Sequence, residues 1–217
     1  MRFGLWLVLL FVIYTHQTNY IPLVTLDAFQ GTAKTLVVTI QSNPVFPIST
    51  SNFYSYPTIF GEERDIELIV GGGSVGLLFS AGARRGVFNT GSPNGGTAKV
   101  IYQLDGVDGS MNLNPNGLRN FDATVGGNAT AFFVVVGVSD IPTPFSILVY
   151  GPNNNQIGNY TQIIPNTYSQ AVNIVIPYSL FEMSGSGNFS DVGAIEWVIT
   201  MENDVDLAFH YFGIIGQ

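Results

Sequence analysis

Hydrophobic positions along this chain recur mostly at intervals of two. Residues 64–70 carry Ile66, Leu68 and Val70 on one face and Asp65 and Glu67 on the other. Residues 99–104 place Val100, Tyr102 and Leu104 in phase, residues 171–176 place Val172, Ile174 and Ile176, and residues 194–200 place Ile195, Trp197 and Ile199. Such alternation marks strands with one buried face. Residues 131–138 are apolar throughout and predict a central strand covered on both faces. Further strands are predicted over 33–40, 75–80 and 145–150. The last, over 205–212, puts Val205, Leu207, Phe209 and Tyr211 on one face. Gly, Pro and Asn clusters separate these runs. The stretch Gly71-Gly-Gly-Ser-Val-Gly76 is predicted as a hairpin turn, and one helical turn is predicted after Pro177. Residues 43–61 form the longest irregular stretch and carry Phe53, Tyr54, Tyr56 and Phe60. Eight or more strands with almost no helical periodicity predict an all-β, two-sheet antiparallel sandwich.

The first residues follow a different pattern. Arg2 precedes an apolar run over residues 5–14, too short to cross about 30 Å of hydrocarbon as a helix. It predicts a signal peptide over 1–19, followed by one β-sandwich domain over 20–217. No later apolar stretch approaches membrane-spanning length, so a secreted, extracellular protein is expected. Composition narrows the chemistry. Of 217 residues, 46% are hydrophobic and 10% charged, with a net charge of -8 and no cysteine. These figures exclude a disordered chain, a disulfide framework and thiolate metal sites. So few basic residues argue against a nucleic-acid partner.

Four segments carry a resemblance: Gly61-Glu-Glu-Arg-Asp-Ile-Glu-Leu68, Asn120-Phe-Asp-Ala-Thr-Val-Gly-Gly127, Ile176-Pro-Tyr-Ser-Leu-Phe181 and Asn188-Phe-Ser-Asp-Val-Gly-Ala-Ile195. Together they resemble an uncharacterised family of secreted, cell-surface proteins common in bacteria, often with a C-terminal sorting tail. The last two segments also resemble the end of galactose-binding-like jelly-roll domains. The resemblance implies a jelly-roll topology and carbohydrate or cell-surface binding, and it carries no reaction. This chain departs from the bacterial pattern in lacking the sorting tail.

Several residues are candidates for chemistry. Sugar binding needs aromatic faces and planar polar groups. Phe53, Tyr54, Tyr56, Arg84, Arg85, Arg119 and Asp122 are of those types and sit in predicted loops or turns. Calcium prefers hard oxygen ligands. Two acidic clusters offer them, one with Glu62, Glu63, Asp65 and Glu67, the other with Glu202, Asp204 and Asp206. The jelly-roll resemblance implies that these meet through an early and the last strand, with Glu63, Asp65, Asp204 and Asp206 as ligands of a structural calcium. Arg64 is expected to pair with its neighbours Asp65 or Glu63. His210 is expected to be structural. Ser74 lies in a stretch matching the nucleophile elbow, but a strand follows where that motif needs a helix. The sequons at Asn128, Asn159 and Asn188 are glycosylation sites if the host permits, at about the number that chance placement gives. A non-catalytic secreted binding module for a glycan or cell-surface component is therefore expected, with no catalytic residue assigned. The alternative is a structural extracellular matrix or coat protein that self-associates. A glycan-active hydrolase or lyase ranks below both.

Overall fold

The computed structural model describes residues 20–31, 34–38, 47–72, 76–82, 84–91, 97–152, 155–167, 170–185, 187–201 and 205–216. The predicted signal peptide, Ser74, Glu202 and Asp204 lie outside the described residues. The strands are β1 (Ile21–Asp27), β2 (Lys34–Val38), β3 (Ile48–Ser55), β4 (Glu63–Val70), β5 (Gly76–Gly82), β6 (Arg85–Gly91) and β7 (Ala98–Leu104). They continue with β8 (Ala129–Ser139), β9 (Thr143–Gly151), β10 (Asn155–Ile164), β11 (Val172–Pro177), β12 (Glu182–Met183), β13 (Ala194–Met201) and β14 (Asp206–Gly216). A 3-10 turn, Tyr178–Leu180, stands where a helical turn is predicted. No helix among the described residues is long and apolar enough to cross a membrane.

Two antiparallel sheets face each other. Sheet A runs β11-β8-β14-β6-β5-β2, and sheet B runs β12-β10-β9-β13-β7-β4-β3. Within them, β6-β14-β8-β11 opposes β7-β13-β9-β10. That is the strand succession of a jelly roll, two Greek keys closed into a double sheet. The predicted all-β jelly-roll sandwich is therefore the fold. β14 pairs with β8 along its whole length. Its other edge is shared by β6, at Asp206–Phe209, and β1, at Phe212–Gly216.

Alternating residues from both sheets fill the space between them. Trp197 of β13 is fully buried and lies within 4.2–5.3 Å, ring to ring, of Tyr102, Phe145, Phe209 and Phe212. Fully burying a side chain of this size is worth about 2–3 kcal/mol per residue, so this aromatic cluster carries much of the folding free energy.

Three expectations are corrected. β4 and β5 do not pair as the hairpin predicted across Gly71–Gly76, of which residues 73–75 lie outside the described residues. β4 pairs with β3 and β7 in sheet B, while β5 pairs with β2 and β6 in sheet A, so the connection crosses between sheets. Arg64 does not pair with its acidic neighbours. It shares the inward face of β4 with Ile66 and Leu68, and its ion pair is with Asp27, at 3.2 Å. Adjacent strand residues point to opposite faces, which puts Asp65 and Glu63 out of its reach. Tyr211 is not inward. Register shifts at 208/209 and 209/211 reset the phase of β14, so Phe212 enters the core and Tyr211 faces out.

Candidate functional site

The outer face of sheet A is built around that irregularity. Tyr211 of β14 lies over Gly213, so that a Cβ at 213 would fall 2.5 Å from the ring. Its hydroxyl lies 3.1 Å from Thr25 Oγ1 on β1. Phe133 of β8 is half-buried beside it, ring centroids 5.9 Å apart. His210 is exposed and lies over Gly137 of β8, where its ring fills the place of a side chain. It thus belongs to the surface rather than to the packing expected of it. Cross-strand pairing adds Val135 and, from β11, Asn173. Farther along the same face, Arg85 and Val87 of β6, Val138 of β8 and Asp206 of β14 line a groove of about 240 Å³. The Asp206 carboxylate accepts a hydrogen bond from the Asn89 amide. The face therefore offers the Tyr211 ring and the His210 imidazole laid over glycines, with Phe133 beside Tyr211, and amide, guanidinium and carboxylate groups on the same sheet.

A second constellation lies on the outer face of sheet B. Glu63 and Asp65 alternate with inward-facing Arg64 and Ile66, yet both are buried. The cover is the loop after β7, which brings Asp105 and Asp108. The pairing of Asp65 with Gln103 carries β7 alongside β4 and delivers this loop to the two carboxylates. Carboxylate oxygens of Glu63, Asp65 and Asp108 come within 4.8 Å of one another. Glu63 accepts hydrogen bonds from Ser55 Oγ and from the backbone N–H groups of Asp108 and Gly109. Asp105 accepts one from the N–H of Asn114 at 2.7 Å. Asp65 is fully buried, and the one group at hydrogen-bond range of its carboxyl among the described residues is the Asp105 carboxyl, which can pair with it only if one of the two carries a proton. Burial, and then the charges of Asp105, Glu63 and Asp108, push the Asp65 carboxyl up to about 8. Burial likewise lifts Asp105 to about 7, against the Asn114 N–H and with the charges of Asp108 and Glu63.

The same loop walls a cavity of about 420 Å³ at one end of the sandwich, lined by Phe60, Glu62, Asn114, Asn116 and Arg119, among others. Glu62 (φ 67°) and Arg119 (φ 54°) both hold left-handed backbone there, a strained state for residues with a side chain.

The residues predicted for ligand binding are dispersed. Arg119 lines the end cavity and Arg85 the sheet A groove. Arg84 occupies the β5–β6 turn with left-handed backbone. Phe53 is 43% exposed on the edge strand β3, whereas Tyr54 is buried in the core. Tyr56 packs against Gly31. Asp122 is taken up by its own loop, where it accepts from the N–H and Oγ1 of Thr124 and the N–H of Gly126. Of the predicted calcium ligands, Glu63 and Asp65 come together and Asp206 does not join them, since it stands on sheet A. Of the sequons, Asn128 and Asn188 are exposed, while Asn159 is half-buried in β10 between β9 and β12. Sequence reasoning missed Tyr211, Phe133, Asp105 and Asp108. The Asp105-Gly-Val-Asp108-Gly spacing, directly after an alternating strand, was the available signal for the last two.

No family model matches the chain, and no curated protein matches it. Among solved structures, it is similar to a family 11 carbohydrate-binding module from Clostridium thermocellum in complex with a β-1,3-1,4-mixed-linked tetrasaccharide. The identity is 14% and the TM-score 0.41, over 89% of this chain and 95% of that one. An arabinose-bound α-L-arabinofuranosidase matches at 12% identity and TM-score 0.40, over 88% of this chain and 26% of that one. A DUF4465 family protein from Bacteroides caccae matches at 7% and 0.30, over 92% and 100%. At that distance the ligands of those proteins say nothing about this one, and its function is read from its own residues.

Proposed function

We propose that this protein is a secreted, non-catalytic binding module whose outer sheet A face takes an extended glycan. The observation that carries this is Tyr211 lying over Gly213 beside Phe133. A ring laid along a sheet in place of an upright side chain presents its face to solvent, and an aromatic face packs against the C–H surface of a pyranose. Sugar hydroxyls need planar donors and acceptors at the rim of such a surface. Asn173 beyond Val135 and Arg85 with Asp206 at the far end supply them. The apolar run at residues 5–14 supports export. A glycosidase sets two carboxylates about 5–9.5 Å apart across a cleft. Glu63 and Asp65 instead lie under the Asp105 loop, which supports a binding role over a hydrolytic one.

The test is a glycan array probed with the purified protein and with a Tyr211→Ala, Phe133→Ala variant of unchanged circular dichroism. Binding to a related set of glycans that the variant loses is the expected result. Binding retained by the variant would move the site off sheet A. A blank array from folded protein, together with concentration-dependent oligomers, would favour the self-associating matrix protein.

A further inference from the structure

The buried carboxylates on sheet B present a problem of charge that the binding role does not address. Glu63 and Asp65 of β4 and Asp108 of the loop after β7 bring carboxylate oxygens within 4.8 Å of one another, and Asp105 of the same loop joins them through Asp65. Surface acids can sit together in water at small cost. Asp65 and Asp105 cannot, because both are fully shielded from solvent. Taking an unpaired carboxylate out of water costs several kcal/mol. Arg64, the nearest cation in sequence, points through to the other side of the sheet and is spent on Asp27.

The donors in place reach only part of the cluster. Glu63 is held by Ser55 and two backbone N–H groups, Asp105 Oδ2 by Asn114, and Asp108 Oδ1 by the N–H of Ser110. Both oxygens of Asp65 and Oδ1 of Asp105 are buried with no N–H or hydroxyl donor among the described residues, and the Asp65 and Asp105 carboxyls face each other at hydrogen-bond range, so only a shared proton or a cation can satisfy them. These oxygens are shut off from solvent, whereas Asp108 is exposed. The arrangement combines enclosed oxygens that need a partner with one exposed carboxylate.

The loop itself is fixed at its base. Gly106 (φ +81°) and Gly117 pack backbone to backbone, and a Cβ on Gly117 would run into the Asp105 carbonyl. Asp105 and Asp108 are therefore held in place over Asp65. Oxygen-rich, carboxylate-heavy sites of this kind suit calcium, which takes six to eight oxygen ligands in flexible geometry, better than magnesium, which demands near-ideal octahedral geometry and gives up its waters reluctantly.

We infer that Glu63, Asp65, Asp105 and Asp108 form a calcium site that locks the loop after β7 onto sheet B. It is a different set from the one implied by the jelly-roll resemblance, since the last strand takes no part. The inference is independent of any glycan, and its test needs none.

The experiment is isothermal titration of the full protein with calcium chloride after chelation. Thermal unfolding is followed alongside in excess chelator, in calcium, in magnesium and in sodium chloride of matched ionic strength. Saturable calcium binding with a raised melting temperature in calcium alone is expected. Asp65→Asn, which keeps shape and removes one charge, should weaken calcium binding at least about tenfold. If that variant does not fold, exposed Asp108→Asn should still fold and bind calcium several-fold more weakly. Equal melting temperatures in chelator and calcium with no binding heat would overturn the site and leave a proton shared between Asp65 and Asp105. An equal shift from magnesium or from ionic strength would overturn it as well.

Discussion

Arg64 and Asp27 meet inside the sandwich, Nε to Oδ2 at 3.2 Å, both fully removed from solvent. Asp27 also accepts from the Tyr102 hydroxyl at 2.5 Å and from the N–H of Phe29, and the guanidinium lies 5.3 Å from the Phe29 ring centroid. The gap between β1 and β6 along β14 lets this happen. There the chain turns inward, and Phe29 occupies the space over Gly86. The unit thus joins β1 of sheet A to β4 and β7 of sheet B.

Breaking that unit on one side leaves a buried charge without a partner. Arg64→Met or Asp27→Leu alone should cost about 3–5 kcal/mol in urea unfolding. The double variant should cost less than either single one, because no charge is left stranded. A double variant as unstable as the sum of the singles would show that the pair is not coupled.

How far these features were legible follows from which contacts are local. The central strands β7 and β13 were plain, because each has a buried face and the apolar residues keep one phase. β8 was legible as a central strand from its continuous apolar run, but only one of its faces is covered, and Phe133, Val135 and Val138 on the other are half-buried. β3 was hidden in a stretch that looked irregular, since as an edge strand it buries only Tyr54 and exposes Ser and Asn. The outward turn of Tyr211 depends on bulges, and one shifted residue reverses the face of everything after it. Glu63 and Asp65 were visible as acids beside a strand. Their partners Asp105 and Asp108 were not, because only the β4–β7 register joins segments some 40 residues apart.

Closing the acidic loop depends on Gly117. Gly117→Ala would place its Cβ against the Asp105 carbonyl, which is backbone and cannot swing away. Overpacking of this kind costs about 1–3 kcal/mol. The variant should melt below the parent and bind calcium more weakly. Gly109→Ala, in the same loop with nothing near its Cβ but with φ +65°, should lose only the smaller backbone penalty. Differential scanning calorimetry of the two, with and without calcium, checks the ranking.

Alkaline stability follows from the buried tyrosines, Tyr54 among them, whose phenol burial pushes up. Burial, and then the charge of Asp27, drives Tyr102 well above its usual range, and burial with Asp122 does the same for Tyr178. Burial and Glu196 push Tyr150 up to about 12. In the unfolded chain these phenols ionise near 10. Between the two values the folded state holds protons that the unfolded state has lost. Stability is therefore complete below about pH 10 and falls as pH rises beyond it. Tyrosinate absorbance should appear for these residues together with the loss of circular dichroism. Ionisation of all the tyrosines ahead of unfolding would contradict the burial.

The sheet A platform makes its own prediction about two glycines. The atoms nearest a Cβ at Gly137 all belong to the His210 ring, which can rotate off the face into solvent. A Cβ at Gly213 meets the Tyr211 ring and, at 2.6 Å, the carbonyl oxygen of Val24, which is backbone of the neighbouring strand. Gly137→Ala should therefore leave the melting temperature nearly unchanged, while Gly213→Ala should cost about 1–3 kcal/mol. Glycan affinity separates them differently. Both displace a ring from the face, so both should weaken binding, Gly213→Ala more because aromatic stacking contributes more than one imidazole hydrogen bond. Titration calorimetry with a glycan identified on the array supplies the numbers. A Gly137→Ala protein of full stability and full affinity would take His210 out of the binding face, and a Gly213→Ala protein that folds and binds unchanged would remove Tyr211 as its centre.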